Sequence, residues 1–104
     1  MNPHTTSPYE VTARIRCSAE ADAGEARLAL GALARHTRSE PGCLAFSVHE
    51  EADAPGSFVL WEVFTDEAAF KKHFDYEHTR SYTGLRLTEL VEHWVTLPVG
   101  AEPT

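Results

Sequence analysis

Three side chains have the right type and setting for chemistry: Glu62, His73 and His78. Glu62 stands inside the most apolar run of the chain, Phe58-Val59-Leu60-Trp61-Glu62-Val63-Phe64. A carboxylate buried there without a partner pays on the order of several kcal/mol or is driven towards its neutral form. A partner is therefore expected. Glu62 is either a pocket acid or base, or a structural carboxylate paired with an arginine such as Arg14 or Arg16. His73 follows Ala69 by one helical turn and lies between Phe70 and Phe74, on the apolar stripe of a helix that must face inwards. An inward imidazole that titrates near neutrality can act as a general base or hydrogen-bond a phenolic ligand; the alternative is a satisfied core histidine. His78 lies five residues on, about 140° around an ideal helix, so the two rings meet in one cavity only if the helix breaks between them. His73 and Glu77 share an i, i+4 face, but with no third ligand they read as an ordinary helix-face pair, and no metal site is expected.

The aromatics Trp61, Phe64, Tyr76, Tyr82 and Trp94 could hold a planar ligand by stacking or through hydroxyl groups, with packing in the core or at an interface as the alternative use of the tryptophans. Phe70 and Phe74 flank His73 on the same stripe. Dinucleotide, Walker A, nucleophile-elbow and zincin motifs are all missing from the chain, so any catalysis is expected to proceed without a recognisable bound cofactor.

The elements that must position these residues are legible in outline. Tyr9 to Cys17 alternates apolar and polar residues with the period of a half-buried strand. Asp22 and Glu25 form a capping box ahead of Ala26, Ala29, Leu30, Leu33 and Thr37, which predicts an amphipathic helix from about Asp22 to Ser39. Glu40-Pro41-Gly42 stops it. A strand through Leu44, Phe46 and Val48 and a turn at Asp53-Ala54-Pro55-Gly56 precede Ser57 to Phe64, a strand apolar on both parities and so expected at the centre of a sheet. Thr65 or Asp66 caps a second helix ending near Tyr76, a shorter helical segment spans His78 to Leu87, and Leu90 to Leu97 is a weakly alternating fourth strand.

The order βαββαβ specifies an α+β, ferredoxin-like antiparallel sheet with its helices on one face. The other face, with Val59, Trp61 and Val63, is left to a partner surface. Residues 9–97 make up the folded domain, with residues 1–8 and 98–104 as flexible tails. Cys17 and Cys43 fall on strands separated by a third and should not form a disulfide.

Length and charge exclude much else. The 104 residues fit one domain with a modest core, which favours dimerisation. Nine basic residues against 16 acidic ones give a net charge of -7, which argues against nucleic acid as a partner. No apolar stretch is long enough for a membrane span and no signal core opens the chain, so a soluble, cytoplasmic protein is expected.

The run Glu40-Pro41-Gly42-Cys43-Leu44-Ala45-Phe46, the strand Phe58 to Phe64, and Asp66-Glu67-Ala68-Ala69-Phe70-Lys71-Lys72-His73-Phe74 with His78 together resemble the antibiotic biosynthesis monooxygenase domain over about Val11 to Leu97. The resemblance implies a dimeric α+β barrel in which two sheets pack face to face. It also implies oxygenation of electron-rich phenols or quinols by O2, without metal or flavin, in a cavity between sheet and helices. Carried over, His73, His78, Glu62 and Phe64 match positions near that cavity, with His73 as base and Glu62 orienting it or the substrate. Trp61, Phe64, Phe70, Phe74 and Tyr82 then hold the ring. The family commonly has Trp where this chain has Phe64, so no role that needs an indole N–H there is implied. The related haem-degrading monooxygenases would place their iron ligand near Tyr82 or Thr83, where no histidine stands, so haem degradation is disfavoured. A ligand-binding dimer without catalysis and an isomerase on the same scaffold remain alternatives.

Overall fold

A computed structural model describes residues 8–100; the expected tails fall largely outside them. The elements run β1 (Tyr9–Cys17), α1 (Ala23–Thr37), β2 (Cys43–Glu50), β3 (Ser57–Phe64), α2 (Glu67–His73), α3 (Glu77–Gly84) and β4 (Thr88–Thr96). They form a four-stranded antiparallel sheet in the order β2-β3-β1-β4. Alternation decides which side chains go inside: Val11, Ala13 and Ile15 of β1 and Phe58, Leu60, Glu62 and Phe64 of β3 point to the helix side and are buried. Ala26, Leu30, Leu33 and Ala34 of α1 close over them. The fold is thus the expected ferredoxin-like α+β sheet with β3 central, and Cys17 and Cys43 are both free thiols.

Capping sets where the helices begin. Asp22 accepts a hydrogen bond from the Glu25 amide and Asp66 one from the Ala69 amide, at 2.9 and 2.8 Å, each satisfying an amide that the first turn leaves open. Two helical segments stand here as expected, but the first ends at His73 rather than near Tyr76. The chain leaves the α-helix at His73, tightened by bonds from the Phe74 and Asp75 amides to the Lys71 and Lys72 carbonyls. It restarts at Glu77 and ends before Leu87, with Arg86 in the left-handed conformation (φ 55) that terminates helices. The break removes the i, i+4 relation between His73 and Glu77, which no longer share a helix.

The weak alternation of the fourth strand also has a structural cause. β4 is irregular opposite Arg14 and Ile15: Glu92 faces Arg14, yet Leu90 rather than Val91 faces Ile15. The extra residue places Leu90 and His93, three apart, on the same side of the sheet, where strict alternation would separate them.

On the opposite face Trp61 and Trp94 flank Thr12 in a row across three strands and are about 40% exposed. Ion pairs of Arg14 with Glu51 and Glu92, and of Arg16 with Glu89, lie among the strands. These pairings correct one expectation: neither arginine partners Glu62, because both lie on the parity facing away from the helices. No helix among the described residues is long and apolar enough to cross a membrane.

Candidate active site

The helix side of the sheet encloses a half-open cavity of about 470 Å³. Apolar side chains dominate its wall: Val11, Ala13 and Ile15 from β1, Phe46 and Leu60 from the neighbouring strands, Phe70 and Phe74 around α2, and Leu90 from β4. Glu62, His73, Thr79, Tyr82, Arg86 and His93 supply the polar groups. A dry wall with a few placed polar groups suits a small, largely apolar ligand.

Glu62 reaches this cavity from the centre of the sheet and is only 6% exposed. Its Oε1 has no hydrogen-bond partner among the described residues, contrary to the partner expected from the sequence. Burial, and secondarily the negative charge of Glu40, push its pKa up to about 7. Near neutral pH it is therefore part acid and part carboxylate, an arrangement that can give or take a proton.

His73 is buried at the end of α2 within a shell of aromatic rings: Phe46, Phe64 and Phe74 stand 5.7, 5.5 and 5.1 Å from it, centroid to centroid. Its Nδ1 is hydrogen-bonded to Glu40 Oε2 at 2.7 Å, with the Thr79 hydroxyl 3.3 Å away. With Nδ1 so engaged, Nε2 is the nitrogen left to meet a ligand. Burial lowers the pKa of His73, against the opposing pull of Glu40, so the neutral ring that a base requires is favoured.

Glu40 is the residue missed by the sequence reading. It belongs to the turn after α1, is 6% exposed, and receives a second imidazole: His78 Nε2 lies 2.5 Å from the same Oε2. The break between α2 and α3 is what brings His73 and His78 together, and they meet on Glu40 rather than in the cavity, since His78 does not line it. Glu40, and not Glu62, therefore orients His73. The turn is seated by a close approach: Gly42 lies so near α2 that a β-carbon on it would stand 2.5 Å from Ala69 Cβ, while its carbonyl accepts the Thr65 amide at 2.9 Å. Gly42→Ala should then cost about 1–3 kcal/mol, the usual penalty for overpacking, and displace Glu40 from His73. Chemical denaturation checks the first effect. In a double-mutant cycle, Ala69→Gly should recover part of the loss; strict additivity would show the contact to be immaterial.

The aromatic residues divide. Phe70, Phe74 and Tyr82 line the cavity, and the Tyr82 hydroxyl is bonded to Thr88 Oγ1, tying α3 to β4. Burial raises the Tyr82 pKa, keeping the phenol protonated. Phe64 is fully buried behind Phe70 and His73 and supports their rings without facing a ligand. Trp61 is on the wrong parity for the cavity: it lies on the opposite face, where its Nε1 donates to Glu10 Oε2 at 2.7 Å.

Glu40, His73 and His78 are also the described residues whose ligand atoms, within 4.8 Å of one another, could in principle hold a metal ion. Their contacts to Oε2 of 2.5 and 2.7 Å are hydrogen-bond lengths. Two donors on one tetrahedral zinc ion stand about 3.3 Å apart at ordinary bond lengths, so the cluster as folded is a hydrogen-bonded triad that would have to open to admit an ion.

Comparison with known proteins agrees with this architecture. A protein of Bacillus subtilis named YjcS and described as uncharacterized is 29% identical over 81% of this chain and 80% of its own. The structure of Rv0793 from Mycobacterium tuberculosis superposes with a TM-score of 0.75 at 32% identity, covering 94% of this chain and all of that one. SnoaB, a cofactor-independent oxygenase from Streptomyces nogalater, shares the fold with a TM-score of 0.78 at 18% identity, over 95% of this chain and 100% of its own. The family model for antibiotic biosynthesis monooxygenases matches residues 8–83, about three quarters of the sequence, and the chain belongs to that family.

Proposed function

We propose that the protein is a cofactor-independent monooxygenase that oxidises an electron-rich phenol or quinol with O2, acting as a homodimer. The observation that carries this reading is the buried His73 ring: one nitrogen is fixed by Glu40, the other is free for a ligand in an apolar cavity. Family membership and the fold shared with SnoaB support it.

The chemistry needs little more than a base and a dry site. His73 Nε2 takes the proton of a phenolic hydroxyl, and the phenolate pushes charge to the ring carbon opposite it. That carbon gives one electron to O2 and the radical pair closes a carbon–oxygen bond, leaving a peroxide anion. After protonation, loss of water leaves a carbonyl: one oxygen atom stays in the quinone and the other departs as water. Glu62, poised near neutrality, hydrogen-bonds or protonates the peroxide, and the aromatic wall keeps bulk water from the intermediates. Trp61, Trp94 and their neighbours on the helix-free face form the dimer contact in this reading.

Anthrone and a panel of hydroquinones, followed by O2 uptake with and without air, test the activity. Uptake with one oxygen retained in the quinone, traced with ¹⁸O2, is the expected result. Tight binding of a planar ligand without uptake would assign the cavity to a binding module, and turnover in the absence of air to an isomerase. A stable monomer at micromolar concentration in sedimentation would remove the dimer.

A further inference from the structure

We infer that His78 is the outer end of a proton path that runs from the ligand cavity through His73 and Glu40 to a second cavity between α1 and α3. This rests on His73 acting as the base. The second cavity, about 510 Å³, is lined by His36, Glu77, His78, Ser81, Tyr82 and Leu85. His73 lines the first cavity and not the second; His78 lines the second and not the first. Between them stands a single atom: both imidazoles are within hydrogen-bond distance of Glu40 Oε2, so a proton on that oxygen is in reach of either ring. Glu40 and His73 are buried, whereas the His78 side chain keeps about a fifth of its surface open. Tyr76 and His36 stack on the His78 ring at 5.3 and 5.8 Å, which holds its Nε2 on the carboxylate.

The path answers a difficulty of an apolar cavity that its own substrate fills. A base covered by the bound substrate can only return the proton to the phenolate it made, and the slow reaction with O2 must compete with that return. Here His73 Nε2 gains the phenolic proton while its Nδ1 proton passes to Glu40 Oε2 and, with His78 in the tautomer that carries its proton on Nδ1, on to the unprotonated His78 Nε2. His78 releases a proton from its other nitrogen to water. No electrons move in these steps. The proton that Glu62 gives to the peroxide anion is replaced by one returning along the same route through His73, which lines the same cavity, so each turnover balances. Glu40 and His78 are thus positioning and relay residues, not groups that touch the substrate.

Two measurements decide the matter. The first needs no activity: the His73 Nδ1 proton, bonded to a carboxylate, should appear far downfield in the NMR spectrum of the ¹⁵N-histidine-labelled protein. Its exchange with water should slow at least tenfold in His78→Phe, which keeps a stacking ring but carries no proton; His78→Gln serves if phenylalanine is not accommodated. Exchange at the wild-type rate would overturn the path. The second uses anthrone oxidation: His78→Gly should lose at least tenfold in O2 uptake and regain it with imidazole in the buffer. Glu40→Gln should not be rescued. Rescue of both variants, or of neither, would also overturn the path. If wild-type protein takes up no O2 at all, the oxygenase reading falls, while the exchange rate still decides the path.

Discussion

Glu62→Gln should stabilise the protein at pH 8 by on the order of 3 kcal/mol and change its stability little at pH 4. The folded protein holds Glu62 at a pKa of about 7, up from 4.5 for an unperturbed glutamate, with burial the main cause and Glu40 the lesser one. Between those two values the folded state binds the proton more firmly than the unfolded state. This contribution is therefore fully present below about pH 4.5, falls as pH rises, and is lost above about pH 7. Glutamine carries no charge to desolvate, so it escapes the penalty where glutamate is ionised. Urea denaturation of both proteins across pH 4 to 8 reads the difference directly. A constant gap between the two curves would mean that Glu62 is not held near neutrality, and its assignment as a proton donor to the peroxide would go with it. In the same variant, oxidation should slow at pH 6 to 7, where the wild-type carboxyl can still give a proton and the amide cannot. The cavity thus carries a group that costs stability at physiological pH, as expected of one retained for chemistry.

Removing the base should have the largest effect on turnover. His73→Ala is expected to lower O2 uptake with anthrone by about 10²–10⁴-fold, the usual worth of a positioned general base, with the loss diminishing as the pH approaches the pKa of the substrate phenol and deprotonation no longer needs help. Glu40→Gln should fall between this variant and wild type. Its amide can bond one ring but offers no second anionic contact, and by donating to Nδ1 it can turn His73 to the tautomer whose Nε2 already carries a proton. The pH-rate profile separates these variants from mere damage to the fold: unfolded protein loses activity at every pH. Uptake that His73→Ala leaves unchanged would remove the mechanism while leaving the cavity and the fold as described.

The sheet and the inward position of His73 were open to reading because both depend on local periodicity. Tyr9 to Cys17 alternates without a fault, and β1 has those limits; Asp22 announces α1 by its own side chain. The irregular pairing of β4 blurred its pattern, since Leu90 and His93 share a face only because Val91 lies between regular positions. Glu40 was hidden for a different reason. It precedes Pro41-Gly42, a combination that explains itself as a helix stop, and its partners lie 33 and 38 residues away in the chain. One signal was there to be used: an acidic residue just beyond the C-terminal end of a helix sits at the negative end of the macrodipole, where a carboxylate is disfavoured. A misplaced charge of that kind asks for a cationic or proton-donating neighbour, and two histidines further along could supply it. Trp61 failed as a cavity residue on grounds already in the sequence, because it has the opposite parity to Glu62.

β4 hydrogen-bonds to β1 alone and forms an edge of the sheet, yet it furnishes the outer wall of the cavity through Thr88, Leu90 and His93. The proton-handling groups stand elsewhere, on β3, at the end of α2, in the turn after α1 and on α3. Chemistry and fit are therefore assigned to different pieces of chain. Substitutions at Leu90 or His93 can reshape what enters without touching the acid, the base or the carboxylate that aligns it, which makes this edge the place where one catalytic apparatus can be adapted to new substrates.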